Sequence, residues 1–296
     1  MRYLASIPSP STNVIEIGPL EIHFYGILIG IGVVIAAIVT TRRYQRFGGD
    51  PSILDPVILW TVIIGFLGAR TGYIITHSSR YEGEWYKVLF IWEGGLALYG
   101  GLTAGALAAI YTLRKHQGDF VMFTDAIAVG LPLAQAIGRF GNYFNQELFG
   151  TPSTLPWAVE IDAAHRPGEF LDSPTFHPTF LYESLWNLLI TVPVILVLER
   201  RLELARGTRF PIYMITYGTI RFLTELIRTD TTFRLLGLSR NGWISVGAIL
   251  AGSVLLFVAQ RRGVGYEQSD AQAEHTGDDD TGDDDTEDDS VSLEGQ

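Results

Sequence analysis

Polar side chains that can bind an anion recur in a short run at residues 138–150, GRFGNYFNQELFG, directly beside an apolar segment. If this run is helical, three of them share one helix face and two flank it. On the face are Arg139, Asn142 and Gln146, and beside it are Asn145 and Glu147. A guanidinium group offers a planar fork of donors that suits phosphate, and amides can position a polyol or a carbonyl.

A second cluster lies at residues 217–228, YGTIRFLTELIR. Tyr217, Arg221, Glu225 and Arg228 follow one another at four, four and three residues, so they share one face of a helix. One carboxylate neutralises one guanidinium group, which predicts an excess of positive charge for an anionic ligand. The alternative is a buried ion pair that fixes helix packing.

Two smaller clusters begin apolar segments. Glu183 follows His177 in HPTFLYE, and Tyr25 follows His23 in HFYG. Interfacial tyrosine and histidine are also common membrane anchors. Arg70 and Asp125 add charges within apolar segments, where a charge is costly and is often functional. We expect Asp125 to pair with a basic residue.

The elements that must position these residues are apolar segments long enough to cross a bilayer. Of the 296 residues, 47% are hydrophobic, and the mean hydropathy is +0.22 even with a strongly polar tail included. A spanning helix needs about 20 apolar residues. Seven segments qualify, roughly 24–41, 53–76, 94–113, 120–138, 180–198, 210–227 and 243–260. The predicted fold class is an all-α integral membrane protein with about seven transmembrane helices.

Basic residues predict the orientation of these segments. Arginine and lysine cluster after the first, third, fifth and seventh segments, at residues 42–46, 114–115, 200–209 and 261–262. Alternate connections lie on the same side, and basic connections are typically cytoplasmic. We therefore expect the N-terminus outside and the C-terminus in the cytoplasm.

The chain divides into a membrane domain, residues 1–266, and an acidic tail, residues 267–296. The tail has 13 acidic residues and no lysine or arginine, and we expect it to be disordered and cytoplasmic. The remaining 19 acidic residues nearly balance the 21 basic ones, so nothing predicts nucleic-acid binding. The longest connection, about 139–179, predicts a small extracytoplasmic loop region.

Residue types also limit the chemistry and the packing. The chain has no cysteine, which excludes disulfides, thiolate metal sites and a cysteine nucleophile. Glycines at four-residue spacing predict closely packed helices. They are the pairs Gly26/Gly30, Gly68/Gly72 and Gly101/Gly105.

Taken in order, the clusters resemble the prolipoprotein diacylglyceryl transferase family over about residues 14–262. The resemblance rests on the 138–150 run together with six shorter motifs. They are HFYG at 23–26, GARTGY at 68–73, WEGG at 92–95, YGG at 99–101, HPxxLYE at 177–183 and YGxxR at 217–221 continuing to Arg228.

The resemblance implies an enzyme of the bacterial cytoplasmic membrane that uses neither a metal nor a soluble cofactor. It implies transfer of the diacylglyceryl group of phosphatidylglycerol to the lipobox cysteine of a preprolipoprotein signal peptide, with release of glycerol-1-phosphate. It also implies that Arg139 and Arg221 are the essential basic residues.

We expect three tyrosines to act beside these arginines, namely Tyr25, Tyr99 and Tyr217. We expect a further set to bind substrate, with Arg139 itself: His23, Arg70, Asn142, Asn145, Glu147, Glu183, Glu225 and Arg228. One position departs from the family pattern, because Tyr99 stands where many members have histidine in His-Gly-Gly. A tyrosine with a pKa near 10 is a poor base at neutral pH. The group that removes the thiol proton is therefore left open.

Two other functions suit intramembrane arginines. A transporter or channel for an anionic solute would need them as well. A different enzyme acting on lipid head groups would also use them.

Overall fold

The computed structural model describes residues 6–18, 20–90, 95–230, 234–263 and 265–266. Its helices are α1 Phe24–Arg46, α2 Leu54–Thr76, α3 Leu98–Lys115, α4 Phe120–Phe144, α5 Thr179–Trp186, α6 Val192–Arg201, α7 Arg209–Ile227 and α8 Arg240–Arg262. A π-helical turn, Asn187–Thr191, joins α5 to α6 into one continuous span. The acidic tail and most of the WEGG motif lie outside the described residues.

Within the described residues, five helical spans have the length and apolarity needed to cross a membrane. They are Phe24–Arg46, Pro51–Thr76, Phe120–Phe144, Thr179–Arg201 and Arg240–Arg262. A helical membrane protein, as predicted, is the fold class that these spans support. Helices α3 and α7 are not among the five.

Short strands were not predicted. In the described part of the chain they form three antiparallel two-stranded ribbons. The strands are β1 Val14–Ile17 with β2 Leu20–His23, β3 Val159–Glu160 with β4 Thr175–Phe176, and β5 Arg234–Leu235 with β6 Leu238–Ser239. Each ribbon satisfies backbone hydrogen-bonding groups beside a helix end, where the helical pattern no longer pairs them.

The helices pack mainly as three pairs, α1 with α4, α2 with α3, and α7 with α8. Glycines permit the close approach of α2 and α3, because a Cβ built at Gly68 would lie 2.7 Å from the carbonyl oxygen of Gly100. The prediction that glycine permits close helix packing is wrong for Gly26 and Gly30, because a Cβ built at either position meets no described atom within 4 Å.

The connection between α4 and α5 begins later than predicted. Helix α4 continues to Phe144, whose ring stacks on Phe24 of α1 at a centroid distance of 4.6 Å. The loop therefore runs over residues 145–178 and has its own small core, which includes Phe149 and Phe176. We call the end of the helix bundle that carries this loop the loop end, and the opposite end the far end.

Ion pairs tie several helices together at the far end. Asp125 of α4 lies 3.6 Å from Nη1 of Arg209 and accepts the backbone N–H of that residue, which confirms the expected pairing with a basic residue. Glu199 of α6 pairs with both Arg209 and Arg43 of α1. Tyr266 donates a hydrogen bond to Asp125. The far ends of α1, α4, α6 and α7 are thus one connected charge network.

The contact between α2 and α3 predicts an effect on stability. Replacing Gly68→Ala should lower stability by roughly 1–3 kcal/mol, because the added methyl group must displace the backbone of α3. Thermal unfolding of the purified protein in detergent measures the change. The matched control is Gly30→Ala, which should not lower the melting temperature because its Cβ points into open space. Equal melting temperatures for the two variants would contradict this packing.

Candidate functional site

Five charged side chains at the loop end form one row, Arg139, Glu183, Arg221, Glu225 and Arg228, which we call the charge row. Nη2 of Arg139 lies 2.5 Å from Oε2 of Glu183, and Nη1 of Arg221 lies 3.6 Å from Oε1 of the same carboxylate. Nη2 of Arg221 lies 2.8 Å from Oε2 of Glu225, and Nε of Arg228 lies 4.0 Å from that oxygen. Guanidinium groups and carboxylates alternate throughout.

Three helices position the charge row. Arg139 comes from the last two turns of α4, Glu183 from the beginning of α5, and Arg221 and Glu225 from α7. The side chain of Glu183 is 1% exposed, whereas those of Arg139 and Arg221 are 18% and 15% exposed. The carboxylate is therefore buried between two guanidinium groups that retain some accessible surface.

The excess positive charge expected from the sequence is absent from this cluster. Asp230 binds Arg228 through two contacts, Nε to Oδ1 at 2.7 Å and Nη2 to Oδ2 at 2.5 Å. Burial alone would raise the pKa of Asp230, but the hydrogen bonds and charge of Arg228 outweigh it and hold that pKa below its ordinary value. Three arginines thus face three carboxylates, because α5 and the segment after α7 supply acids that the spacing on α7 did not include.

Some guanidinium donors nevertheless remain available. Nη2 of Arg139 donates to the hydroxyl of Tyr217 at 3.1 Å, and no other atom of this guanidinium group donates a hydrogen bond to a described residue. Nη1 of Arg221 is buried without a hydrogen-bond partner among the described residues. A buried donor of this kind is costly unless a ligand satisfies it. The two arginines can therefore offer donors to an anion while keeping Glu183 between them.

Tyr99 is connected to the charge row through α8. Its hydroxyl donates to Oδ1 of Asn241 at 2.7 Å, and Nδ2 of Asn241 lies 3.5 Å from Oε1 of Glu225. Ser239 donates to the same Glu225 oxygen at 2.6 Å. The guanidinium carbon of Arg240 lies 5.4 Å from the centroid of the Tyr99 ring. Ser239 ends β6 and Asn241 lies in the first turn of α8. Both side chains are uncharged, so the pattern of charged residues at helical spacing did not identify them.

Three residues of the 138–150 run form a second, smaller group. Oε1 of Glu147 accepts hydrogen bonds from Asn142 at 2.9 Å and from Asn145 at 3.4 Å. The ring of Tyr25 covers Gly141, where a Cβ would overlap it, so a glycine is required at that position. This group adjoins the charge row through α4, since Asn142 follows Arg139 by three residues.

The predicted helix face does not extend to Gln146. Helix α4 ends at Phe144, and Gln146 adopts a positive φ of 50°. Its amide instead exchanges hydrogen bonds with Asp162, at 2.7 Å to the carboxylate and 2.8 Å from the backbone N–H. Hydrogen bonds from Gln146 and Ser9 lower the pKa of Asp162. Gln146 therefore anchors the 145–178 loop.

Other expected site residues lie apart from the charge row. Arg70 donates to the backbone carbonyls of Val88 and Gly95, at 2.9 and 3.2 Å, as well as to Lys87 and Phe90, and so holds the segment between α2 and α3. His23 is exposed and precedes α1 at the end of β2. Nδ1 of His177 lies 3.0 Å from the Tyr182 hydroxyl, which also accepts from Trp157.

The fold and the charge row define a helical membrane protein whose paired arginines can receive an anionic group at one end of the bundle. The family model described as Prolipoprotein diacylglyceryl transferase matches residues 12–258. The chain belongs to this family.

Curated relatives agree with this assignment. The Phosphatidylglycerol--prolipoprotein diacylglyceryl transferase 2 of Streptomyces coelicolor is 43% identical over 267 residues, which cover 89% of this chain and 84% of that protein. Proteins named Phosphatidylglycerol--prolipoprotein diacylglyceryl transferase from Frankia alni and Cutibacterium acnes are 43% and 42% identical. These alignments cover 87% and 92% of this chain, and 68% and 93% of the respective relatives.

Proposed function

We propose that this protein transfers the diacylglyceryl group of phosphatidylglycerol to the lipobox cysteine thiol of preprolipoproteins in the bacterial membrane. The observation that carries the proposal is the pair of guanidinium groups, Arg139 and Arg221, held on either side of Glu183. The family membership and the names of the relatives supply the reaction. The products are a thioether-linked diacylglyceryl protein and glycerol-1-phosphate.

The reaction is a displacement at the glyceryl carbon that carries the phosphate. The cysteine sulfur forms a bond to this carbon while the carbon–oxygen bond to phosphate breaks, and the phosphate oxygen keeps the electron pair. The proton lost by the thiol balances the negative charge gained by the leaving glycerol phosphate. Charge therefore grows on one oxygen in the transition state, and this oxygen is what fixed donors must stabilise.

Arg139 and Arg221 are the groups that we assign to this oxygen. Nε and Nη1 of Arg139 donate to no described residue, and Nη1 of Arg221, 3.6 Å from Oε1 of Glu183, makes no hydrogen bond within the described part of the chain. Since Glu183 already orients both groups, little reorganisation is needed when the phosphate departs. Tyr217 holds Arg139 through its hydroxyl, and Glu225 holds Arg221 from the other side.

The neighbouring polar groups suit the glycerol head group. We assign Asn142, Asn145 and Glu147 to hydroxyl recognition, because their amide and carboxylate groups already form a connected hydrogen-bonding set. Tyr25 forms the adjoining wall over Gly141. Tyr99 positions Asn241, and through it Glu225, and does not itself take the thiol proton.

We also propose that all seven helical spans cross the membrane, with the N-terminus outside and residues 267–296 in the cytoplasm. Support comes from the far end, where the ion pairs of Arg43, Glu199, Arg209 and Asp125 join four helix ends at one level. Helices α3 and α8 likewise carry basic residues in their last turns, as expected of helix ends on the cytoplasmic side. The 145–178 loop then lies outside, and residues 1–266 form one transferase domain.

Removing either arginine should slow transfer by on the order of 100-fold or more, because each supplies donors to the leaving phosphate. The assay combines purified protein, phosphatidylglycerol vesicles and a lipobox peptide, and mass spectrometry detects the diacylglyceryl mass gain. The variants are Arg139→Ala and Arg221→Ala, with Arg139→Lys to keep the charge without the planar fork. Arg42→Ala, an exposed change on α1, is the control and should remain active. Full activity of both alanine variants would refute the site.

The same experiment separates the other two functions. A transporter or channel would carry an anionic solute across sealed vesicles and leave the peptide unmodified. A different head-group enzyme would consume phosphatidylglycerol without needing the peptide. Either result with the unaltered protein would overturn the proposed transfer.

Replacing Tyr99→Phe should reduce transfer by about tenfold at most. The change removes one hydrogen bond to Asn241 but keeps the ring beside Arg240, and a single neutral hydrogen bond contributes about 1 kcal/mol. Tyr86→Phe is the matched control, since it removes the hydrogen bond of another exposed tyrosine hydroxyl, to Glu84 at 3.2 Å. Loss of nearly all transfer in Tyr99→Phe alone would show that this residue does more than position Asn241.

The orientation can be tested by labelling single cysteines, because the natural chain has none. A membrane-impermeant maleimide applied to intact spheroplasts should label cysteines in connections outside the cell and leave cytoplasmic ones unlabelled until the membrane is permeabilised. Glu82→Cys, His165→Cys and Leu236→Cys should react at once, whereas His116→Cys and Glu203→Cys should not. If the cysteines at positions 82 and 116 were labelled equally before permeabilisation, α3 would not cross the membrane. Equal labelling at positions 203 and 236 would likewise exclude a membrane crossing by α7.

A further inference from the structure

A cavity of about 540 Å³ lies between α2 and α3 towards the far end of the bundle. Trp60 and Ile64 of α2 form one wall, and Leu107 and Tyr111 of α3 form the other. Tyr99, at the beginning of α3, is 16 residues from Lys115, which is about 24 Å along a helix. On α3 the lining of the cavity begins at Ala104, five residues after Tyr99, and it includes no member of the charge row and no group assigned to catalysis.

The glycine pattern explains why the cavity opens where it does. At the loop end Gly68 and Gly72 of α2 meet Gly100, which holds the two helices close together. Beyond Gly105 the facing positions carry larger side chains, and Leu107 and Tyr111 are 62% and 68% exposed. Buried Ala108 forms the floor between these side chains. The result is an apolar trough that is open along the face of the bundle.

The trough ends in positive charge. Lys115 and His116 line its far end, and Arg114 is the preceding residue. Lys115 forms no ion pair with any residue that the structure describes, and neither does Asp55, the exposed acidic residue that begins the facing helix. An apolar trough with an unpaired ammonium group at its mouth is complementary to an anionic lipid.

The dimensions agree with one leaflet of a bilayer. From Ala104 to Lys115 is eleven residues, or about 16 Å of helix. Half of a hydrocarbon core is about 15 Å thick. Tyr111 lies about one turn from Lys115, near the level of the head groups, where such amphipathic rings are enriched. Thr61 meets Gly105, so the neighbouring Trp60 lies towards the inner end of the trough, beside the acyl chain.

We propose that this trough is a second lipid site, which retains one anionic phospholipid by its acyl chain and by the contact of its phosphate with Lys115. The lipid is bound as a neighbour of the enzyme and is not consumed. In the proposed orientation the far end is cytoplasmic, so this lipid belongs to the cytoplasmic leaflet. Only this leaflet assignment rests on the proposed orientation. The binding itself is independent of the transfer reaction.

Quenching of Trp60 fluorescence by brominated lipids tests the site directly. The full-length protein is placed in vesicles of brominated phosphatidylserine or brominated phosphatidylcholine, each diluted into the unbrominated lipid. Subtracting the emission of the Trp60→Phe variant, which retains the other five tryptophans, leaves the fluorescence of Trp60 alone. Phosphatidylserine should bind near Trp60 about fivefold or more tightly than phosphatidylcholine, given the usual contribution of one basic residue near a lipid head group. The preference should weaken in high salt.

Two matched double variants test whether the positive charge at the end of α3 causes the preference for phosphatidylserine. Arg114→Gln/Lys115→Gln, at the end of α3, should abolish most of the preference for phosphatidylserine. Arg261→Gln/Arg262→Gln removes two adjacent exposed arginines at the end of α8 and should leave it intact. Equal quenching by the two lipids in the unaltered protein would refute the site, as would an equal loss in both double variants. Because no result depends on transfer activity, a failure here is distinct from a failure of the proposed function.

Discussion

The carboxylate of Glu183 lies between the guanidinium groups of Arg139 and Arg221, and this shared contact constrains the arrangement of the whole loop end. A charge buried without a partner in a protein that spans a membrane costs several kcal/mol. Glu183 is 1% exposed, so α5 can enter the bundle only where α4 and α7 present both arginines to it. The order of α4, α5 and α7 around this point follows from that requirement.

Alternation of charge along the row has a consequence for catalysis. Because the carboxylates balance the arginines, the resting site does not bind anions through net charge. In the proposed reaction it binds them through guanidinium nitrogens that donate to no described residue, such as Nε and Nη1 of Arg139. Donors fixed in this way act most strongly when negative charge becomes concentrated on one oxygen, as it does when glycerol phosphate leaves. Glu183 therefore orients both arginines, and Glu183 and Glu225 together balance their charge.

Much of this arrangement follows from the sequence, but the parts that depend on contacts between distant segments do not. The spacing of Tyr217, Arg221 and Glu225 correctly predicted one face of α7, because the period of a helix depends only on nearby residues. Arg228 was expected on the same face but lies just beyond the end of the helix, in an extended conformation. The sharing of Glu183 was not foreseen, because it requires the packing of α4, α5 and α7. The end of α4 at Phe144 was also missed, since it depends on Phe24 and on the bonds of Gln146 to Asp162. The π-helical turn at Asn187–Thr191 carries no distinctive pattern of residues.

Tyr99 occupies the position at which the family resemblance implies histidine in many members. Its hydroxyl reaches Asn241, which in turn lies against the Glu225 carboxylate, so the side chain at this position joins α3 to α8 and to the charge row. The amide oxygen of Asn241 can only accept a hydrogen bond, so the Tyr99 hydroxyl is the donor in this contact. A histidine at the same place can donate one ring N–H to the same asparagine. Tyrosine and histidine thus share the capacity to donate a hydrogen bond from this position, and in this chain that donor joins α3 to α8 through Asn241.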